Sequence, residues 1–249
     1  MPGLLSPEPE FAVEVASLSR NVHFTAESDD PEGNHIGGHF MVGWTSSVEQ
    51  VITGVKISNF GQGGNLGRYP MHFHFSGMSP STISKNVIMN SNQRCILIHV
   101  TNGVTVDNNV CYNHKGHGIA TESGREQNNV FKYNLIARTQ LLPSGQDNGQ
   151  SDTAGSHNKH QAASYWIRSF KNEFIGNVAA GSVSQCWWTE MTKTGTREKS
   201  TFYGAQLYTS PVSSFRDNVA HSCKDTGMVT YFRGWKPDGT HDNPGGVWE

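Results

Sequence analysis

A repeated asparagine constrains this chain more than any other feature. Five segments share the pattern apolar-x-x-Asn-apolar-apolar: "ISKNVI" (83–88), "VDNNVC" (106–111), "FKYNLI" (131–136), "FIGNVA" (174–179) and "FRDNVA" (215–220). Their asparagines are Asn86, Asn109, Asn134, Asn177 and Asn218; the first two intervals are 23 and 25 residues, and the later ones are longer. Nine residues past the asparagine a second apolar stretch opens, at Cys95 ("CILIH"), Gly118 ("GIATE"), Cys186 ("CWWTE") and Gly227 ("GMVTYF"). The third repeat joins the scheme only with about 21 residues looped out, and the polar run 143–163 suits such a loop. "SYWIR" (164–168) then takes the strand position, and 191–211 reads as a second excursion.

A coil of about 22–25 residues with two or three short strands is the pattern of a parallel β-helix, whose coils stack at about 4.8 Å. The asparagine has a physical task there: it tolerates the left-handed backbone of a tight turn, and its amide bonds the same amide one coil away. Leucine-rich repeats have a similar period but require a leucine consensus, which is missing here. The expectation is an all-β fold, a single-stranded parallel β-helix with an asparagine column and two long loop excursions. One domain spans 1–249, with irregular ends at 1–17 and 236–249.

Composition narrows the function classes. A net charge of -2 gives no reason to expect a nucleic-acid partner. Aromatics at 10% and recurring apolar runs exclude a disordered chain. No apolar run approaches the ~20 residues of a membrane span. The opening "MPGLLSPEPE" lacks the basic and apolar regions of a signal peptide. That leaves a cytoplasmic protein or a piece of something longer. The cysteines, Cys95, Cys111, Cys186 and Cys223, show no CxxC spacing, which disfavours a zinc ribbon. Two disulfides are open to them, with buried free thiols the expected state.

Stacked coils put equivalent positions in columns. Counting from each asparagine, positions +10 and +12 hold Ile96 and Ile98, Ile119 and Thr121, Trp187 and Thr189, Met228 and Thr230, and these are expected to point inward. Alternation sends +11 and +13 outward. Position +13 reads His99, Glu122, Arg168, Glu190 and Tyr231. In "LGRYPMHFHFSG" (66–77) the same register, with Gly54 in the asparagine's place, turns Phe73 inward with its neighbours Met71 and Phe75. It turns His72 and His74 outward and puts His74 in the column of His99 and Glu122. His39 is expected above His72. Position +8 adds Arg94 and His117, His114 shares the turn of His117, and Arg68 closes the enlarged turn that opens at 61.

Histidine and glutamate on such a face suit acid–base chemistry, and arginine suits a bidentate grip on a uronate carboxylate. His74, His99 and Glu122 could also hold a divalent metal. A two-carboxylate glycosidase needs a partner for Glu122. Glu190 is the first choice, about 10 Å away across Arg168's coil, and Asp107 and Glu126 are weaker ones. Trp188 faces outward, to stack a sugar ring or to pack under an excursion. Each outward histidine taken alone reads as an ordinary surface residue, and the clustering of His72, His74, His99, His114 and His117 argues for a site.

The strings "LSRNV" (18–22), "GGHFMV" (37–42), "LGRYPMHFHFSG" and the run 93–135 resemble the β-helix region shared by cell-migration-inducing hyaluronan-binding proteins, transmembrane cell-surface hyaluronidases and fibrocystin-like proteins. "SYWIRSFKNEFIGNVAAGS" (164–182) and "FRDNVAHSCKDTGMV" (215–229) continue the likeness in order. The resemblance implies a right-handed helix, an extracellular or cell-surface setting and an upstream domain in a longer parent protein. It also implies hyaluronan as the anionic polysaccharide partner, bound or depolymerised, with calcium as an associated ion. On the enzyme reading His74, His99, Glu122, His72 and His117 are the catalytic set. Arg94, Arg68, His114, Trp188 and Arg168 then bind substrate. The rival is a non-catalytic carbohydrate-binding or adhesion module, since fibrocystin-like relatives share the helix without an established hydrolase activity.

Overall fold

The computed structural model of the 249-residue chain describes residues 13–27, 36–143, 162–192 and 213–233, without the side chains of 190–192 and 231–233. Its described residues form three sheets of seven, seven and six strands, wound as a right-handed parallel β-helix. Every pairing between named strands is parallel and joins one coil to the next. No helix among the described residues is long and apolar enough to cross a membrane.

The functional side chains lie on the sheet made of Phe40–Gly43, Met71–Met78, Ile96–Asn102, Ile119–Thr121, Ala163–Ile167, Gln185–Thr192 and Met228–Arg233. We call it the front sheet. Its inward residues build the lumen: Met71, Phe73, Ile96, Ile98, Ile119, Tyr165, Ile167 and Trp187 belong to one buried apolar cluster. Tyr165 stacks on Trp187 with centroids 3.9 Å apart. The strand after the looped-out stretch is where the repeat placed it, with Tyr165 beside Ile119. The two expected excursions, 143–163 and 191–211, fall almost wholly outside the described residues.

The asparagine column is a continuous amide ladder. Each side-chain N–H₂ donates to the Oδ1 of the next coil: Asn86 to Asn109, Asn109 to Asn134, Asn134 to Asn177 and Asn177 to Asn218, at 2.9–3.0 Å. The same Oδ1 atoms accept backbone N–H groups at 3.0–3.1 Å, so the buried turn is satisfied internally. The left-handed residue is one place earlier than expected. Lys85, Asn108, Tyr133, Gly176 and Asp217 have positive φ, and the ladder asparagines do not. Gly54 accordingly aligns with Lys85, and Val55 takes the asparagine's place, its N–H donating to Asn86 Oδ1 at 3.1 Å.

The cysteines correct the expectation of free thiols. Cys95 is bonded to Cys111 and Cys186 to Cys223. Each bridge ties the start of a front strand to the following coil. Spacings of 16 and 37 residues become adjacency only once the coils are stacked.

Candidate functional site

Pairing on the front sheet sets His74 opposite His99, and the Glu122 N–H donates to the Ile98 carbonyl on the neighbouring strand. Alternation carries His74, His99, Glu122 and Arg168 out of the lumen in one column. The adjoining outward column holds Met41, His72, Leu97, Ala120, Trp166 and Trp188. Met41, not His39, neighbours His72. His39 sits at the rim, where Arg68 Nη1 donates to its Nε2 at 2.8 Å. Burial and then the Arg68 charge lower the His39 pKa, which matches a neutral, accepting ring.

The outer face is not an open polar sheet. Leu97, Ala120, Ala163, Trp166, Trp188, Val229 and Tyr69 form a second buried apolar cluster. Trp188 therefore packs in that cluster, at 0% exposure. Arg94 is also buried, at 1% exposure. Its guanidinium lies over the rings of Tyr69 and Trp166, 5.4 and 5.0 Å from their centroids, and its Nη1 reaches Glu122 Oε1 at 3.2 Å. The other carboxylate oxygen, Oε2, lies 3.6 Å from His99 Nδ1. A buried chain thus runs Tyr69–Arg94–Glu122–His99 and ends at a half-buried imidazole. Arg168 donates from Nη1 to the Glu122 carbonyl at 2.9 Å and rests over Trp166. Arg94 and Arg168 hold the acidic strand together rather than presenting an open cationic surface.

The five sequence-predicted histidines divide into two groups. His72, His74 and His99 converge: ring centroids are 4.9 Å apart for His72–His74, 5.1 Å for His74–His99 and 6.3 Å for His72–His99. His72 Nδ1 donates to the Gly67 carbonyl at 3.0 Å, which fixes the neutral tautomer and leaves the lone pair on Nε2. Burial pushes its pKa down to about 3, so it is neutral across the physiological range. His117 stands apart, stacked 4.7 Å from Trp166, with its Nδ1 accepting the Ala163 N–H at 3.0 Å. Burial, reinforced by the Arg94 charge, holds its pKa well below the usual histidine value. His114 lies fully buried, joined to Thr139 at 3.1 Å, with its pKa pushed down to about 4 by burial. Neither ring offers a proton or an exposed edge to a substrate.

Two aromatic residues complete the site, and one reverses an expectation. Phe75 does not join the core. Its φ is +53°, the register shifts between His74 and Gly77, and its ring turns out onto His74 and His99, with centroids 4.6 and 4.9 Å away. Trp44, with the same φ of +53°, is 73% exposed and stands edge-on to His74 at 5.3 Å. Val100 repeats the device at φ +45°. Left-handed backbone at bulky or β-branched residues is costly and needs its surroundings to hold it. At Val100 it is held by Glu126. That buried carboxylate accepts the N–H groups of Val100, Ser123 and Gly124 at 2.8, 3.1 and 2.8 Å, plus the Ser123 hydroxyl. Glu126 is therefore committed to backbone, Asp107 lies on another sheet, and the side chain of Glu190 is outside the described residues.

The donor set bears on the ion that the resemblance implies. Calcium needs several hard oxygen ligands. The convergent atoms are imidazole nitrogens, while the nearby carboxylates already serve Arg94, His99 and backbone N–H groups. This cluster does not fit calcium.

Comparison with known proteins agrees with the architecture. The family model described as the CEMIP beta-helix matches residues 35–228. A G8 domain-containing protein of Dictyostelium discoideum is 36% identical over 184 residues, covering 70% of this chain and 12% of that protein. Communication mutant protein F of the same organism is 31% identical over 222 residues, covering 86% and 20%. The human cell migration-inducing and hyaluronan-binding protein is 28% identical over 257 residues, covering 88% and 19%. The chain spans a fifth or less of the length of these relatives. With most of its residues matched by that model, the chain belongs to the CEMIP beta-helix family.

Proposed function

We propose that the front-sheet face around His74 and His99 binds hyaluronan or a related uronic-acid polysaccharide and cleaves it within the chain. The observation that carries this reading is the joining of the half-exposed pair His74 and His99 to a buried Glu122–Arg94 couple, beside the exposed ring of Trp44. Trp44 supplies a stacking surface for a sugar ring. Arg68, exposed at the rim, supplies a guanidinium for a uronate carboxylate. His74 and His99 pass protons to and from the glycosidic oxygen and water, Glu122 orients His99, and Arg94 positions Glu122. Support also comes from the human relative, whose name states hyaluronan binding. The two disulfides support an oxidising, extracellular or cell-surface setting.

A second reading has its own observation. Glu122 is paired with Arg94 through Oε1 and faces His99 through Oε2, and among the described side chains no second carboxylate stands beside the histidines for two-carboxylate hydrolysis. That favours a binding module without turnover. Size-defined hyaluronan incubated with the protein and run on a gel separates the two. Cleavage predicts shortened chains from the wild type and none from folded His99→Ala. Retention of hyaluronan without shortening establishes the binding module, and neither retention nor shortening overturns the polysaccharide reading.

A further inference from the structure

We propose that His72, His74 and His99 form a binding site for one transition-metal ion of zinc's class, each imidazole giving one ring nitrogen. The three nitrogens already lie within 4.8 Å of one another. Ligands about 2.0–2.1 Å from a tetrahedral ion stand about 3.4 Å apart, so modest ring rotations close the set. This goes beyond the polysaccharide reading and does not depend on polysaccharide binding; an ion held there takes the lone pairs of His74 and His99 in place of the proton transfer assigned to them above.

His72 carries the argument furthest. Its register neighbours are Met41 and Leu97, both apolar, so a wall would be filled better by another aliphatic side chain. An imidazole stands there instead, at 1% exposure, and its buried Nε2 has no hydrogen-bond partner. An unpaired buried acceptor costs stability and calls for a reason. The Gly67 carbonyl holds the proton on Nδ1 and so directs a free lone pair from Nε2. A backbone carbonyl on the non-ligating nitrogen is a usual outer partner of a metal-bound histidine, and so is a carboxylate. The Glu122 carboxylate lies 3.6 Å from His99 Nδ1, just beyond hydrogen-bond distance and within reach of it by a small ring rotation. Imidazole ligands select zinc, copper, iron or nickel over calcium and magnesium. His74 and His99 are only half-buried, so the fourth position faces outward, where water or a substrate oxygen would sit.

The test is metal binding by the intact chain, read without any polysaccharide. Chelator-stripped protein is titrated with Zn²⁺ and with Co²⁺, following heat, visible absorption of the cobalt form and melting temperature. One saturable equivalent, a cobalt ligand-field band and a raised melting temperature are expected. His74→Ala and His99→Ala, at half-buried positions, should weaken binding at least ten-fold. Glu122→Gln should weaken it roughly ten- to hundred-fold. His221→Ala, at an exposed histidine far along the chain, should bind as the wild type does. No saturable equivalent in folded wild type overturns the proposal, and so do His74→Ala and His99→Ala variants that both bind like wild type. Because the readout is the metal alone, either outcome leaves polysaccharide retention and shortening to their own gel.

Discussion

At the scale of single residues, local alternation and coil period together made His74, His99 and Glu122 legible as neighbours. Two outward positions a coil apart must stack, whatever else the chain does. Phe75 and Trp44 were not legible, because a left-handed residue and a register shift interrupt the alternation just past His74. Glu126, which accepts the Val100 N–H one coil away, was hidden for a different reason: its partners are mainly backbone N–H groups with no sequence pattern of their own. Glu126→Gln keeps the shape but surrenders charge-assisted acceptance of these donors. It should destabilise the protein by about 2–4 kcal/mol in chemical denaturation. It should also perturb the His99 ring resonances, since Val100 follows directly. An unchanged denaturation midpoint would remove Glu126 from this role.

At the scale of elements, the asparagine ladder was the most readable part of the chain. It was readable because each rung must satisfy the same buried turn. What the repeat did not reveal was the one-residue offset of the left-handed position, since Lys85, Asn108, Tyr133, Gly176 and Asp217 share no single residue type. A shorter ladder, Asn129 to Asn172 at 3.0 Å, escaped notice because two rungs make no period. Asn134 is the natural probe of the long ladder. Its side chain donates to the Val106 carbonyl and Asn177, and accepts from Asn109 twice. Asn134→Ala should cost about 3–5 kcal/mol, as several buried groups lose partners at once. The equilibrium unfolding midpoint of the variant checks this, and a loss below about 1 kcal/mol would mean that water replaces the rung.

At the scale of the whole molecule, stacked coils convert distant sequence into adjacency, and the disulfides are the clearest case. Their pairing needs the register, so four cysteines read singly looked like core filler. Closing a loop of 16 residues is worth about 3 kcal/mol, and mild reductant should lower the melting temperature accordingly. Buried neutral histidines set the acid limit. His72, His114 and His117 have pKa values below the ordinary 6.5 in the fold and regain it on unfolding. The unfolded chain therefore binds more protons below about pH 6.5, and stability falls as pH drops from there toward 4. The loss is roughly 2 kcal/mol each for His72 and His114 at pH 5, and His117 acts in the same direction. A flat denaturation midpoint across that range would contradict their burial. The proposed polysaccharide site is one surface, the half-buried His74–His99 pair with Trp44 and Phe75 beside it. A crystal structure with a hyaluronan oligosaccharide tests that surface most directly. It should show a sugar ring on Trp44, a uronate carboxylate at Arg68 and a glycosidic oxygen within hydrogen-bond reach of His74 or His99. An oligosaccharide bound on another sheet, with the histidine face untouched, would contradict it.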